Sequence, residues 1–176
     1  MCKKIIISLL VSSAMATVAT SAFAVDTGTV TFNGKILPDS CVVDVNGTAT
    51  NGTVTFNNLS QTAFGEDKKV GDTQSFAITL TECDAAVANL NIKFDGTRIA
   101  GYDDEVLQAT GTAQNLGVRM LPEGSSNYVK FDGSDPEAAL NKTNGESVVF
   151  NYKAEVIQVG STLPTTGDYT AQATYT

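Results

Sequence analysis

The sequence contains no histidine and no tryptophan, and these absences remove several classes of function. Without histidine, neither a Ser-His-Asp nor a Cys-His nucleophilic site can form. Without tryptophan, the chain lacks the largest aromatic platform for stacking on a sugar ring. Glycine motifs that hold phosphate are also absent. A glycosidase built on two carboxylates stays open, because the distance between two acidic side chains cannot be read from sequence. We expect no enzyme and no cofactor.

Positive charge is scarce, with eleven Lys and Arg residues against nineteen Asp and Glu residues and a net charge of −8. This balance argues against partners with phosphate backbones and against anionic membrane surfaces. Two acidic clusters match no EF-hand spacing, so we expect solvated loops and no metal site. They are formed by Asp103, Asp104 and Glu105, and by Asp132, Asp135 and Glu137.

Long apolar runs are absent from the chain except near its beginning. Lys3 and Lys4 precede an apolar stretch, and residues 22–24 read Ala-Phe-Ala, a small-x-small cleavage signal. The strongly apolar run is too short to span a bilayer. The pattern predicts a cleaved signal peptide over residues 1–24, export of the remainder, and no membrane span in the mature chain.

Cysteine is rare, and of the three cysteines Cys2 lies within the predicted signal peptide. The remaining pair, Cys41 and Cys83, most simply forms one disulfide in an exported chain. Two free thiols or a metal pair are the alternatives, but two cysteines without histidine make a poor zinc site. Closing so long a loop stabilises the fold by roughly 4 kcal/mol in the chain-entropy model.

Short alternating runs separated by turn signals fill the chain after Cys41. Their regularity and the weakness of helical spacing predict an all-β sandwich forming a single domain. The dipeptides Asn46-Gly47, Asn51-Gly52 and Asp95-Gly96 are read as turns, and residues 136–140 as one helical turn. The predicted strands cover residues 41–45, 53–56, 75–80, 90–94, 116–120, 128–131, 147–159 and 169–175.

The segment before Cys41, residues 29–36 (TVTFNGKI), alternates with period two. Thr29, Thr31, Asn33 and Lys35 form its polar face, and Val30, Phe32, Gly34 and Ile36 form the other. A glycine on the apolar face often marks close approach by another backbone or a bulky side chain. We hypothesise that this segment is buried in another molecule. The alternative is an ordinary first strand in its own sheet.

Three features together resemble one family: the segment GTVTFNGKI upstream of Cys41, the pair Cys41 and Cys83 bracketing two or three strands, and the C-terminal segment GDYTAQATYT with Tyr175 next to last. The chain resembles the major subunits (pilins) of type 1 and P pili, assembled by the chaperone–usher route in Gram-negative bacteria. The resemblance implies an incomplete immunoglobulin-like sandwich of six strands, lacking the seventh. It divides the chain into residues 1–24, an N-terminal donor-strand extension over 25–37 and the domain over 38–176.

The resemblance also implies how such a subunit works. A periplasmic chaperone lends a strand to the incomplete fold, and at the outer-membrane usher the extension of the next subunit replaces that strand. Head-to-tail donation then builds a homopolymeric fimbrium on the cell surface that supports adhesion. By this resemblance the donor-strand face is Val30, Phe32, Gly34 and Ile36, and the groove edge is Tyr169, Ala171, Ala173 and Tyr175.

Two other functions stay open from the sequence alone. The chain has the length of a minor or adaptor subunit of the same machinery as well as of a major one. A free-standing secreted β-sandwich that binds carbohydrate or protein through its loops is the alternative from a different class. That alternative predicts that residues 25–37 complete their own domain.

Overall fold

A computed structural model describes residues 29, 31, 33, 41–84, 87, 89–134, 140–141 and 147–176. The predicted signal peptide and the predicted donor-strand face, Val30, Phe32, Gly34 and Ile36, lie outside these residues. Thr29, Thr31 and Asn33, from the polar face of the same segment, are exposed. Within the described part of the chain, no helix is long and apolar enough to cross a membrane.

The described residues form β-strands and one short 3-10 helix, Gln61–Ala63. In chain order the strands are β1 (Val42–Val45), β2 (Val70–Thr81), β3 (Asn89–Leu90), β4 (Phe94–Gly96), β5 (Leu107–Gln108), β6 (Thr110–Gly111), β7 (Leu116–Pro122), β8 (Leu140–Asn141), β9 (Val148–Gln158), β10 (Tyr169–Thr170) and β11 (Ala173–Tyr175). Five of them make an antiparallel sheet in the order β1-β2-β9-β7-β5, and the others pair as β10-β6, β11-β4 and β3-β8.

Strand β9 lies at the centre of the five-stranded sheet, between β2 and β7. Successive side chains of a strand point to opposite faces, so one face of β9 enters the core. This confirms the predicted strand over 147–159 and its inward face, where every second residue is buried: Val148, Phe150, Tyr152, Ala154 and Val156.

The core lies between this sheet and the paired β4 and β11, so the domain is a sandwich. Phe94 of β4 meets Tyr152 of β9 edge-on, with ring centroids 5.4 Å apart, and Phe131 at 6.4 Å. Phe76 of β2 stacks on Tyr152 at 5.3 Å. Such tilted and offset pairs add to the free energy gained by burying the rings. The all-β prediction is confirmed.

Two predicted elements were wrong. The Asp95-Gly96 turn does not form, because Gly96 continues β4 and pairs with Ala173 of β11. A Cβ atom at Gly96 would overlap the Leu107 side chain and lie 2.9 Å from the Gln172 carbonyl oxygen, so packing against the backbone favours glycine there. The predicted strand over 128–131 is irregular, because its N–H groups bond to two separate segments: Val129 to the Met120 carbonyl and Phe131 to the Asp104 carbonyl.

Two further predictions are corrected by the observed pairing of the strands. The predicted strand over 90–94 is divided into β3 and β4, which pair with different partners. Leu140, placed at the end of a predicted helical turn, belongs to β8 and pairs with Leu90. The rest of that predicted turn, residues 136–139, lies outside the described residues.

The predicted disulfide between Cys41 and Cys83 is confirmed. The two Cα atoms lie 4.0 Å apart, and the bond closes a loop with a sequence separation of 42. Val42 pairs with Thr81 where β1 meets β2, so strand pairing brings the two cysteines together. The bond therefore joins the beginning of edge strand β1 to the chain just after β2.

Asp67 ties a surface loop to the end of β9. Its carboxylate accepts hydrogen bonds from the Tyr102 hydroxyl and from the Gly160 N–H, the latter at 2.7 Å. These two donors lower the pKa of Asp67 below its ordinary value of 3.8, because they stabilise the charged form. Nearby, the buried Gln158 amide accepts from the Gly65 N–H and donates to the Gly160 carbonyl. The loop is thus held by polar contacts.

We expect Asp67→Asn to lower stability slightly at neutral pH and to lose this effect in acid. Because the native pKa is depressed, the carboxylate contributes stability above pH 3.8, and that contribution fades as the pH falls through the native pKa. Urea unfolding at neutral and acidic pH measures the difference between variant and parent. Glu66→Gln, which removes the same charge from the adjacent residue, is the control. A difference that is the same at both pH values would contradict this role.

Candidate functional site

Among the described residues, the C-terminal strands β10 and β11 are each hydrogen-bonded to a partner strand along one edge only. β10 pairs with β6, β11 pairs with β4, and Thr176 exchanges two hydrogen bonds of 3.0 Å with Lys93. Main-chain groups of an antiparallel strand point alternately to its two edges. Since Thr176 bonds toward Lys93, the N–H and C=O groups of Tyr175 and Ala173 point to the opposite edge. That edge has no main-chain partner in the described part of the chain.

Residues 53–57 have the side-chain pattern of a strand but no strand partner among the described residues. Thr53, Thr55 and Asn57 are exposed, whereas Val54 and Phe56 are partly buried against the core. The prediction of a strand here was therefore right about the side chains and wrong about pairing. The main chain is tied to its surroundings at Asn57, whose N–H donates to the Asp72 carboxylate at 2.8 Å.

These two segments face each other through side chains. The rings of Phe56 and Tyr169 lie 6.4 Å apart, and the Tyr175 hydroxyl donates to the Thr50 carbonyl at 2.6 Å. Partly buried apolar side chains of both segments pack against the main core cluster, and Phe56 and Tyr169 also pack against a smaller cluster. We call this line the apolar seam; it is formed by Val54, Phe56, Tyr169, Ala171 and Tyr175.

The electrostatics of the apolar seam favour neutral groups. Burial raises the pKa of Tyr169, and the negative charge of Asp72 raises it further. Burial also raises the pKa of Tyr175. Both hydroxyls therefore stay protonated at neutral pH, and the Tyr175 hydroxyl can donate its proton to the Thr50 carbonyl. The seam suits an apolar occupant, because it presents rings and small side chains without a formal charge.

The predicted groove-edge residues do not share one environment. Tyr169, Ala171 and Tyr175 are partly buried, but Ala173 is exposed and lies in β11 after a break at residues 171–172. Sequence reasoning did not place Val54 and Phe56 at the site, although it found their alternation. Sequence carried no signal for this, because an alternating segment without a hydrogen-bonded partner strand has the same pattern as a segment that is paired.

The family model described as fimbrial protein matches residues 30–176. The chain belongs to the fimbrial protein family. Fimbrial proteins are structural subunits exported to the cell surface as part of a fimbrium, and this chain is one of them. The match begins within the alternating segment 29–36 and reaches the last residue, so it includes both ends that the sequence singled out.

Curated relatives of this fimbrial protein are similar along almost their whole length. The S-fimbrial protein subunit SfaA of Escherichia coli O6:K15:H31 (strain 536 / UPEC) is 32% identical over 177 residues, covering 96% of this chain and 94% of the relative. The type-1 fimbrial protein, A chain, of Escherichia coli is 31% identical over 176 residues, covering 96% and 91%. The predicted relationship to type 1 pilus subunits is confirmed.

Solved structures show the same fold. The P pilus rod subunit PapA matches with a TM-score of 0.62 at 22% identity, covering 76% of this chain and 96% of that chain. A structure of a chaperone–usher pilus matches with the same TM-score and identity, covering 86% and 94%. The fimbrial protein therefore has the incomplete immunoglobulin-like fold of pilins, as predicted.

Proposed function

We propose that this fimbrial protein polymerises head-to-tail by donor-strand exchange, with residues 29–36 of one subunit inserted into the apolar seam of the next. One observation carries the proposal. Two facing segments, residues 53–57 and the C-terminal strands, have strand character, and neither has a main-chain partner on the facing edge among the described residues. An added strand would pair with both.

The chemistry of the extension matches this site. Val30, Phe32 and Ile36 would meet the rings and small side chains of the apolar seam, and Gly34 would allow close approach. Burying each of the three larger side chains contributes on the order of 1.5–3 kcal/mol, before the cost of ordering the extension. A register shift by one residue would turn this face outward, so the register is strongly specified.

The exposed edges account for the partners we propose. A sheet edge beside apolar side chains promotes aggregation unless it is covered. A periplasmic chaperone would cover the edge before assembly, and an outer-membrane usher would exchange that cover for the next subunit. The contact joins different surfaces of two copies, so it repeats without closing and produces a filament that supports adhesion.

A gel of the mature protein run without boiling tests the proposal directly. We expect a heat-sensitive ladder from the chain beginning at Val25, and no ladder from a chain that lacks residues 25–37. A chain lacking only residues 25–28 is the matched control, because it keeps the alternating segment and should keep the ladder.

Two outcomes would contradict strand donation. If both long and short chains are monomers with equal melting temperatures, the segment is a dispensable tail. If both are monomers and the truncated chain melts far lower, the segment is the domain's own first strand. That second outcome would favour the free-standing binding module.

A further inference from the structure

Two of the four Asn-Gly dipeptides in the sequence lie close together after β1, in nearly the same sequence context. Asn46-Gly47 is preceded by Val45 and followed by threonine, and Asn51-Gly52 is preceded and followed by threonine. Asparagine side chains before glycine are chemically labile, because the glycine nitrogen can attack the side-chain amide without hindrance from a Cβ. Sequence alone would assign the two sites similar reactivity.

The surroundings of Asn46 protect it. Its φ of 57° lies in the left-handed region, and its N–H donates to the Ala77 carbonyl at 2.9 Å, which fixes the turn. The N–H of Gly47, which holds the attacking nitrogen, donates to the Asp44 carboxylate. Attack requires that nitrogen to lose its proton, and a hydrogen bond to a carboxylate keeps the proton in place.

Asn51 lacks this protection. Its side chain is exposed, and neither that side chain nor the Gly52 N–H has a hydrogen-bond partner among the described residues. Its main chain is not in the left-handed region. Glycine is also required at position 52, because a Cβ there would overlap the Val45 side chain. Packing thus fixes the glycine of the labile dipeptide.

We propose that Asn51-Gly52 is a site of spontaneous deamidation in the folded protein. The Gly52 nitrogen loses its proton to base and attacks Cγ of Asn51, forming an N–Cγ bond. The bond between Cγ and Nδ2 breaks, and Nδ2 takes up a proton and leaves as ammonia. Water then opens the resulting succinimide at either carbonyl, giving aspartate or isoaspartate.

The site lies beside the apolar seam. The carbonyl of Thr50, the residue before Asn51, accepts the hydrogen bond from Tyr175 at 2.6 Å. Isoaspartate would add a methylene to the main chain immediately after this contact, and either product adds a negative charge. Deamidation would therefore alter the seam slowly with age. The modification itself does not depend on the proposed strand exchange.

Incubation of the folded protein in mildly alkaline buffer tests the proposal, with peptide mass spectrometry as the readout. Fragment ions locate each gain of about 1 Da at residue 46 or 51. We expect Asn51 to react about tenfold faster than Asn46, a ratio equal to about 1.4 kcal/mol. The reduced, unfolded chain is the control, because there the two sites should react at similar rates. Equal rates in the folded protein, or an unmodified Asn51, would overturn the proposal.

Asp44→Ala provides a second arm of the experiment. Removing the carboxylate that holds the Gly47 N–H should raise the rate at Asn46 severalfold, toward the rate at Asn51. The rate at Asn51 should stay unchanged. An unchanged rate at Asn46 would overturn the protective role of Asp44. The ratio of the two rates in the parent protein does not depend on this variant.

Discussion

Replacing Phe32 by aspartate is expected to stop growth of the fimbrium while the subunit still folds with its chaperone. In the proposed contact the Phe32 ring is buried in the next subunit's apolar seam, so the variant would place a carboxylate among apolar side chains. An unpaired buried charge costs several kcal/mol, and each 1.4 kcal/mol weakens association tenfold. The measurement is the heat-sensitive ladder on an unboiled gel, with recovery of the chaperone-bound subunit alongside.

Thr31→Asp is the matched control for this variant. It adds the same charge to the neighbouring residue, whose side chain is exposed and belongs to the polar face of the segment. We expect this control to assemble like the parent. Normal assembly of Phe32→Asp would contradict the proposed donor face, and equal failure of both variants would show that charge alone disturbs the extension.

Loss of the disulfide is expected to destabilise the domain before assembly begins. Cys41→Ser opens a loop with a sequence separation of 42, and the chain-entropy model then predicts a decrease of roughly 4 kcal/mol in the free energy of unfolding. Typical domains are stable by about 5–15 kcal/mol, so most of this margin disappears. Denaturant unfolding of the variant and the parent measures the decrease.

Two control variants distinguish the effect of losing the disulfide from the effect of changing a side chain. Val42→Thr changes the neighbouring residue, which is 53% exposed, and should have little effect. The double variant Cys41→Ser, Cys83→Ser should have the same free energy of unfolding as the single variant. Reductant should not change the stability of the double variant, whereas it should destabilise the parent. Equal stability of Cys41→Ser and the parent would contradict a stabilising disulfide.

The sequence determined the class of fold and much of its interior. Period-two alternation identified the buried face of β9, because side chains of a strand alternate wherever one face is buried. The pair Cys41 and Cys83 identified the disulfide, since the third cysteine, Cys2, falls within the predicted signal peptide. The ends of the chain, with their alternating segments around Cys41 and Tyr175, identified the family. Each of these signals depends on residues close together in sequence or on a single pair.

Only the tertiary structure showed which strand edges are hydrogen-bonded to a partner strand. The Asp95-Gly96 dipeptide predicts a turn, but Gly96 continues β4, because Ala173, far along the chain, lies opposite it. Residues 53–57 alternate like a paired strand, yet no described strand lies beside them, and the apolar seam results. Alternation reports which side chains are buried and carries no information about main-chain hydrogen bonds. Those bonds join residues distant in sequence, so the part of the seam formed by Val54 and Phe56 could be located only from the tertiary structure.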